Sequence, residues 1–265
     1  MQPVQYIAAI RRGEPINYDA FLRRLPTAWR NRHRELFATQ KIAAHRWRVR
    51  CLDPLRLAEL EADVRPPLDR VAAAWQGDSH RHETDTAYVL VHHARLIDAR
   101  PEVVMLTDKG VSPVLEPKAT ALIVENEQNF SRPEFMRELA SRWRGLPMTP
   151  ASTDVVLGGG KRINRPLVMD WLKRYEHILC AFDYDLAGLE MYASLHRALG
   201  VKVSLLQPPQ WCDWYAGFRL APPDTRRYLK AISQAKRLGF ANLARAFRDT
   251  GHFMEQEVLL EPLDE

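Results

Sequence analysis

Cysteine is scarce in this chain. Three residues of 265, Cys51, Cys180 and Cys212, lie far apart. That excludes a disulfide scaffold and any Cys-x-x-Cys zinc knuckle, and makes a reducing cytoplasm the expected location. Long apolar runs are missing too: none approaches the ~18–20 residues of a membrane span. The first dozen residues lack the apolar stretch of a secretory signal. No internal repeat or low-complexity tract is visible. The hydrophobic share of 46% beside 27% charged residues excludes wholesale disorder. A chain of this length makes one large domain or two small ones.

Charge is present, and it is uneven. The formal net charge is +5. Between Arg11 and Arg50 there are 11 Lys and Arg against 3 Asp and Glu, leaving 27 basic and 30 acidic residues elsewhere. The positive excess therefore sits in one early segment, as on a phosphate-facing surface or a solvated helix face. In Arg46-Trp47-Arg48-Val49-Arg50-Cys51 arginines alternate with apolar residues. A strand there puts Arg46, Arg48 and Arg50 on one face, about 6.6 Å apart, roughly the spacing of backbone phosphates. Residues 39–44, which contain Lys41, read as a short helix. Asp53-Pro54 reads as an N-cap and first helical proline opening a helix over 55–64. Helix, basic strand and helix together predict a winged-helix-like unit that is basic and mainly helical.

Farther on, 68–75 reads as a helix and 76–86 as a loop. His80, His82, His92 and His93 read as solvated loop residues, because no partner stands at a metal-ligand spacing. Residues 101–118 read as a hairpin or connector. The expected domains are therefore 1–115 and 116–265, with a boundary near Glu116. Beyond it strands and helices alternate. Strands are expected at 119–124, 154–157, 178–182 and 201–206. Ser131-Arg132-Pro133-Glu134 reads as a capping box, Pro166 as a helix start, and Gly200 as the stop of a helix carrying Leu189, Tyr192, Leu195 and Leu199. The pattern predicts an α/β fold with a parallel sheet flanked by helices, and a mostly helical tail after Pro223.

Ligands of open parallel sheets bind at the carboxyl ends of strands. Glu125 ends the first of these strands, and Asp183 and Asp185 follow the third. If those strands are neighbours, three carboxylates converge and repel, which a hard divalent cation, Mg2+ or Mn2+, relieves. Asp185 could instead cap the next helix. Gly158-Gly159-Gly160-Lys161-Arg162 ends the second strand at the same edge. Gly159 and Gly160 allow close approach of a phosphate, with Lys161 and Arg162 supplying charge; a tight turn is the other reading. The loop is neither a Walker motif nor Gly-x-Gly-x-x-Gly.

These segments, Val124-Glu125-Asn126 with Asn129-Phe130, Gly159-Gly160, and Asp183-Tyr184-Asp185-Leu186-Ala187-Gly188, resemble the Toprim fold. More narrowly they resemble the Toprim domain of the nuclease subunit of Wadjet-type plasmid-defence systems, the JetD or MksG family. The resemblance covers about residues 120–207, and Leu186 stands where that family usually has proline. It implies Mg2+- or Mn2+-dependent cleavage of double-stranded DNA, with Glu125, Asp183 and Asp185 as catalytic and metal-holding residues. Lys41, Arg46, Arg48 and Arg50 would then hold the duplex backbone. It further implies an SMC-like ATPase with its kleisin as partners, and a homodimer. Glu255-Gln256-Glu257 resembles the acidic segment near the end of these proteins, making Glu257 a further metal candidate or a solvated helix end. Two alternatives stay open. A strand-passage enzyme of the type IIB topoisomerase kind needs a nucleophilic tyrosine, for which only Tyr6, Tyr18 and Tyr88 are at hand. A non-catalytic Toprim module binds DNA without nicking it. A phosphotransferase of the haloacid dehalogenase type is disfavoured, since its Asp-x-Asp normally closes the first strand.

Overall fold

The computed structural model describes residues 2–66, 70–75, 84–93 and 100–260. It divides into two compact units, Met1–Thr84 and Asp85–Glu265. His80, His82 and most of the loop expected at 76–86 lie outside the described residues.

In the first unit, helices α1 (Pro3–Arg11), α2 (Tyr18–Leu22), α3 (Thr27–Asn31), α4 (His33–Leu36), α5 (Pro54–Val64) and α6 (Arg70–Trp75) accompany a hairpin of β1 (Phe37–Ala43) and β2 (Arg46–Cys51). In α5, Leu57, Leu60 and Val64 recur at helical spacing and are buried. They join Tyr6, Ile7, Ile10 and Phe21 in one apolar cluster. Asp53 caps α5, accepting from the Leu55 and Arg56 N–H groups at 3.0 and 3.1 Å. The helix expected over 39–44 is instead strand β1. Pairing with the alternating β2 decides this: Gln40 faces Arg48 and Thr39 faces Val49 across an antiparallel ladder.

The second unit is built on a seven-stranded sheet of order β5-β4-β3-β7-β6-β8-β9. Its strands are β3 (Thr86–His92), β4 (Glu102–Thr107), β5 (Gly110–Ser112), β6 (Thr120–Val124), β7 (Thr153–Leu157), β8 (His177–Ala181) and β9 (Val203–Leu205). Strands β7, β6, β8 and β9 are mutually parallel, and β3, β4 and β5 add antiparallel neighbours. The sheet is thus mixed, where an all-parallel sheet was expected. The boundary expected near Glu116 falls between Thr84 and Asp85, because β3, β4 and β5 belong to this sheet. Helices α7 (Glu127–Phe130), α8 (Pro133–Arg144), α9 (Pro166–Leu172), α10 (Leu186–Leu199), α11 (Thr225–Arg237) and α12 (Ala241–Thr250) complete it.

Strand β6 is central and pairs on both sides. Its residues Ala121, Leu122, Ile123 and Val124 are all buried, which suits the unbroken apolar run of a strand covered on both faces. Helix α8 starts at Pro133 as expected, but the capping box does not form. Ser131 Oγ donates instead to the Gln128 carbonyl at 2.8 Å, and the helix closes on left-handed Gly145. His92 and His93 are not solvated loop residues. His92 is buried at the end of β3, its ring 4.5 Å from that of Phe130. His93 Nδ1 lies 3.0 Å from a carboxylate oxygen of Asp154. Asp154 is fully buried and also accepts from the Tyr175 hydroxyl at 2.8 Å.

Candidate active site at the carboxyl edge of the sheet

Adjacent parallel strands in matched register carry their next residues to the same edge. Val124 pairs with Ala181, so β6 and β8 end at the same edge, with Glu125 one residue and Asp183 two residues beyond that pair. The Glu125 N–H donates to the Ala181 carbonyl at 3.1 Å, and the Asp183 N–H donates to Glu125 Oε2 at 2.9 Å. Between the two aspartates, Tyr184 is buried and its hydroxyl donates to the Leu206 carbonyl at 2.9 Å. Its backbone exchanges hydrogen bonds with Met254 at 2.9 and 3.2 Å. Anchored in this way, Tyr184 turns into the core while Asp183 and Asp185 remain partly exposed on either side of it.

The Tyr184–Met254 bridge also delivers residues 255–257. Gln256 is fully buried and bonded by every polar group it owns. Its N–H donates to Asp183 Oδ1 at 2.7 Å, and its side-chain oxygen accepts from the Glu125 N–H at 3.2 Å. Its amide nitrogen donates to the Ala181 carbonyl, and its own carbonyl accepts from Asn129 Nδ2 at 3.0 Å. Gln256 therefore braces the ends of β6 and β8 together. Nothing in the sequence singled it out over its acidic neighbours, because a lone glutamine in a tail has no periodic signature.

The electrostatics follow from this burial. Burial, then the charge of Asp183, pushes the Glu125 carboxyl up to about 7; Asp185 and Glu257 add to it. Burial pushes Asp183 up to about 6, against the Gln256 N–H bond, and Asp185 and Glu257 raise it further. Asp185 is raised by burial against its helix-capping bonds. Its Oδ1 accepts from the Gly188 N–H at 2.7 Å, so it does cap α10. Glu257 is exposed but within electrostatic reach of Glu125 and Asp183.

One glycine is required by close approach and a second sits in tight contact. A Cβ on Gly188 would lie 2.1 Å from the Asp183 carbonyl oxygen. One on Gly158 would lie 3.2 Å from the Val124 oxygen. The turn at 158–160 is tied to the site, since the Gly159 N–H donates to the Glu125 carbonyl at 3.0 Å. Gly159 and Gly160 both take left-handed φ, +58° and +62°.

The turn separates Lys161 from Arg162. Lys161 lines a cleft of ≈ 560 Å³ with Asp185. Arg162 lines a smaller groove of ≈ 230 Å³ with Glu127, Arg165 and the exposed Tyr88. In the first unit the hairpin carries Arg46, Arg48 and Arg50 exposed on one face, as expected. Lys41 is not with them: it pairs directly with Trp47, so it shares the opposite face, its ammonium 5.8 Å from the Trp47 ring. Among the described residues no ion pair engages Arg46, Arg48 or Arg50. Tyr6 and Tyr18 are buried, and the Tyr18 hydroxyl bonds His33 Nδ1 at 2.9 Å, so neither is presented as a nucleophile.

A divalent cation fits this donor set by its chemistry. The carboxylates are hard oxygen ligands whose mutual repulsion a cation relieves, and Glu125 Oε1 and Asp183 Oδ2 make no hydrogen bond among the described residues. In the present side-chain positions, no three acidic, His or Cys residues among those described close into a ready cation cage. No family model matches the chain, and no curated protein matches it.

Proposed function

We propose that this chain is a Toprim-type deoxyribonuclease that uses Mg2+ or Mn2+ to hydrolyse phosphodiester bonds of double-stranded DNA. The observation that carries this reading is the pair Glu125 and Asp183, held side by side on neighbouring parallel strands with both carboxyls pushed up towards neutrality. Glu125, Asp183 and Asp185 would hold the cation, with Glu257 at the rim. When bound, the cation supplies Lewis acidity for the phosphoryl oxygen and acidifies a water.

The chain's own groups do the rest. Without the cation, burial and Asp183 push the Glu125 carboxyl up to about 7; where the cation does not fully engage it, Glu125 is the group for general acid–base work. Its Oε2 accepts from the Asp183 N–H, which leaves Oε1 to face the cation or a water. Lys161 offsets phosphate charge from beside Asp185. Arg46, Arg48 and Arg50 hold backbone phosphates without reading sequence. In this reading the first unit is a winged-helix-like DNA-binding module, its β1–β2 hairpin the basic wing. The chain is then the nuclease subunit of a Wadjet-type plasmid-defence complex, acting as a homodimer with an SMC-like ATPase and its kleisin. Among the described residues no helix is long and apolar enough to cross a membrane.

One observation favours a second reading. The capping bond of Asp185 to Gly188 is a structural task, as in a Toprim module that binds DNA without cutting it. A plasmid-nicking assay with Mg2+ or Mn2+ separates the two. Under the nuclease reading wild type nicks, while Glu125→Ala and Asp183→Ala fall by at least a hundredfold. Equal nicking by wild type and both variants removes the proposed site; plasmid binding with no nicking under either metal favours the second reading.

A further inference from the structure

The cleft beside Asp185 is walled by α10 on one side and α11 on the other, two helices that pack together. Its charged lining is Lys161, Arg226, Arg227 and Lys230 with Asp185, Glu190 and Asp224. Two of the four cations are neutralised locally. Lys230 pairs with Glu190 at 2.5 Å, and Arg227 approaches Asp224 at 3.7 Å. Asp224 is itself occupied in capping α11, accepting from the Arg227 N–H at 2.7 Å. Among the described residues no ion pair engages Lys161 or Arg226, and both are exposed. A concave site of ≈ 560 Å³ thus offers two uncompensated cations at the rim of an acidic centre. That volume lies within the range of about 300–1,000 Å³ that takes small-molecule-sized groups.

Two free cations lining one cleft recognise a phosphate, and that lining includes Asp185 but neither Glu125 nor Asp183, which makes the phosphate a neighbour of the one cut. We propose that this cleft seats the nucleotide next to the scissile bond, with Lys161 and Arg226 gripping its backbone phosphate. The ligand is one sugar–phosphate unit of a continuous nucleic-acid strand. This rests on the nuclease reading and adds to it Arg226, which lies outside the segment resembling Toprim. The cleft orients the strand, so that the adjoining phosphodiester lies over Glu125 and Asp183. Arg226 is a positioning residue.

The test uses the full chain, a fluorescein-labelled DNA duplex and supercoiled plasmid. Binding is read by anisotropy across a salt series, and nicking by steady-state kinetics with Mg2+. The variant is Lys161→Ala with Arg226→Ala. The control is Arg142→Ala with Arg144→Ala, which removes equal charge from α8 outside the cleft. The expected result is duplex affinity about tenfold weaker, and a salt slope reduced by about 1.8, two phosphate contacts at about 0.9 each. For Arg226→Ala alone, plasmid KM rises while kcat stays within about twofold, and the control leaves the slope unchanged. An unchanged affinity and slope in the cleft variant overturns the inference, whether or not the protein nicks. A free mononucleotide that occupies the cleft without competing against duplex also overturns it, assigning the site to a small ligand. Failure of the nuclease reading is distinct: it is continued nicking by Glu125→Ala.

Discussion

Replacing Gly188 by alanine adds one methyl group at the tightest point of the site. That Cβ would lie 2.1 Å from the Asp183 carbonyl oxygen and 3.1 Å from its carbonyl carbon. Two effects oppose each other. Gly188 is near the start of α10, where alanine gains up to about 1 kcal/mol of helix propensity. Overpacking against neighbours costs about 1–3 kcal/mol and more when they cannot yield. Here the neighbour is backbone, and it belongs to Asp183, whose N–H is bonded to Glu125 and whose side chain is bonded to Gln256. Backbone held at both ends does not yield cheaply, so the clash wins by about 1–2 kcal/mol. In a unit of about 180 residues this lowers Tm by about 2–8 °C, at about 2–4 °C per kcal/mol. Thermal melts by circular dichroism measure it, and plasmid nicking alongside is expected to fall further than stability does, because Asp183 is what moves. A variant with wild-type Tm and wild-type nicking would refute the argument that Gly188 is required by contact with Asp183.

Three further outcomes are expected. Burial, then the nearby Arg137, holds His92 below its ordinary value, so the folded state resists its protonation. Stability from His92 is present above about pH 6.5 and is lost as pH falls below it. His92→Gln removes that loss: its Tm difference from wild type shifts in the variant's favour between pH 7.5 and 5.5, and a pH-independent difference contradicts the assignment. Of the charged groups around it, Arg137 donates to the His92 carbonyl and Glu134 favours the charged ring. Asp154→Asn leaves the Tyr175 hydroxyl or the His93 ring without its charged acceptor and costs about 1–3 kcal/mol by denaturant titration. Asp154 sits at the start of β7, the opposite end of the parallel strands from Glu125, so nicking by the folded variant is unaffected. Arg46→Ala, Arg48→Ala and Arg50→Ala combined lower the salt slope of duplex binding by about 2.7 and leave Tm unchanged; an unchanged slope removes the hairpin from the DNA interface.

Local chemistry carried most of what the sequence revealed. The alternation of Arg46, Arg48 and Arg50 set their common face, and Asp53-Pro54 set the start of α5, because each is decided within a few residues. That Glu125 and Asp183 end buried strands at one edge was legible from the unbroken apolar runs of β6 and β8, whereas their adjacency was only a condition, met by the β6–β8 pairing. What failed depended on distant partners. Residues 39–43 are a strand because β2 pairs with that segment, and Lys41 faces away from the arginines because register decides faces. The antiparallel β3, β4 and β5 moved the boundary from 116 to 85, and nothing near Glu116 signals that. Gln256, 131 residues from Glu125, and Arg226, on a helix beyond the strand–helix repeat, meet the site only through the fold.

A crystal soaked in MnCl2 tests the acidic pair most directly, since manganese scatters anomalously and takes hard oxygen ligands. The expected result is one anomalous peak between Glu125 and Asp183, at about 2.1–2.3 Å from an oxygen of each. It should vanish in Glu125→Ala. Ordered, separated carboxylates with no peak between them at saturating manganese would contradict the shared-cation site and leave a chain that binds DNA without cutting it.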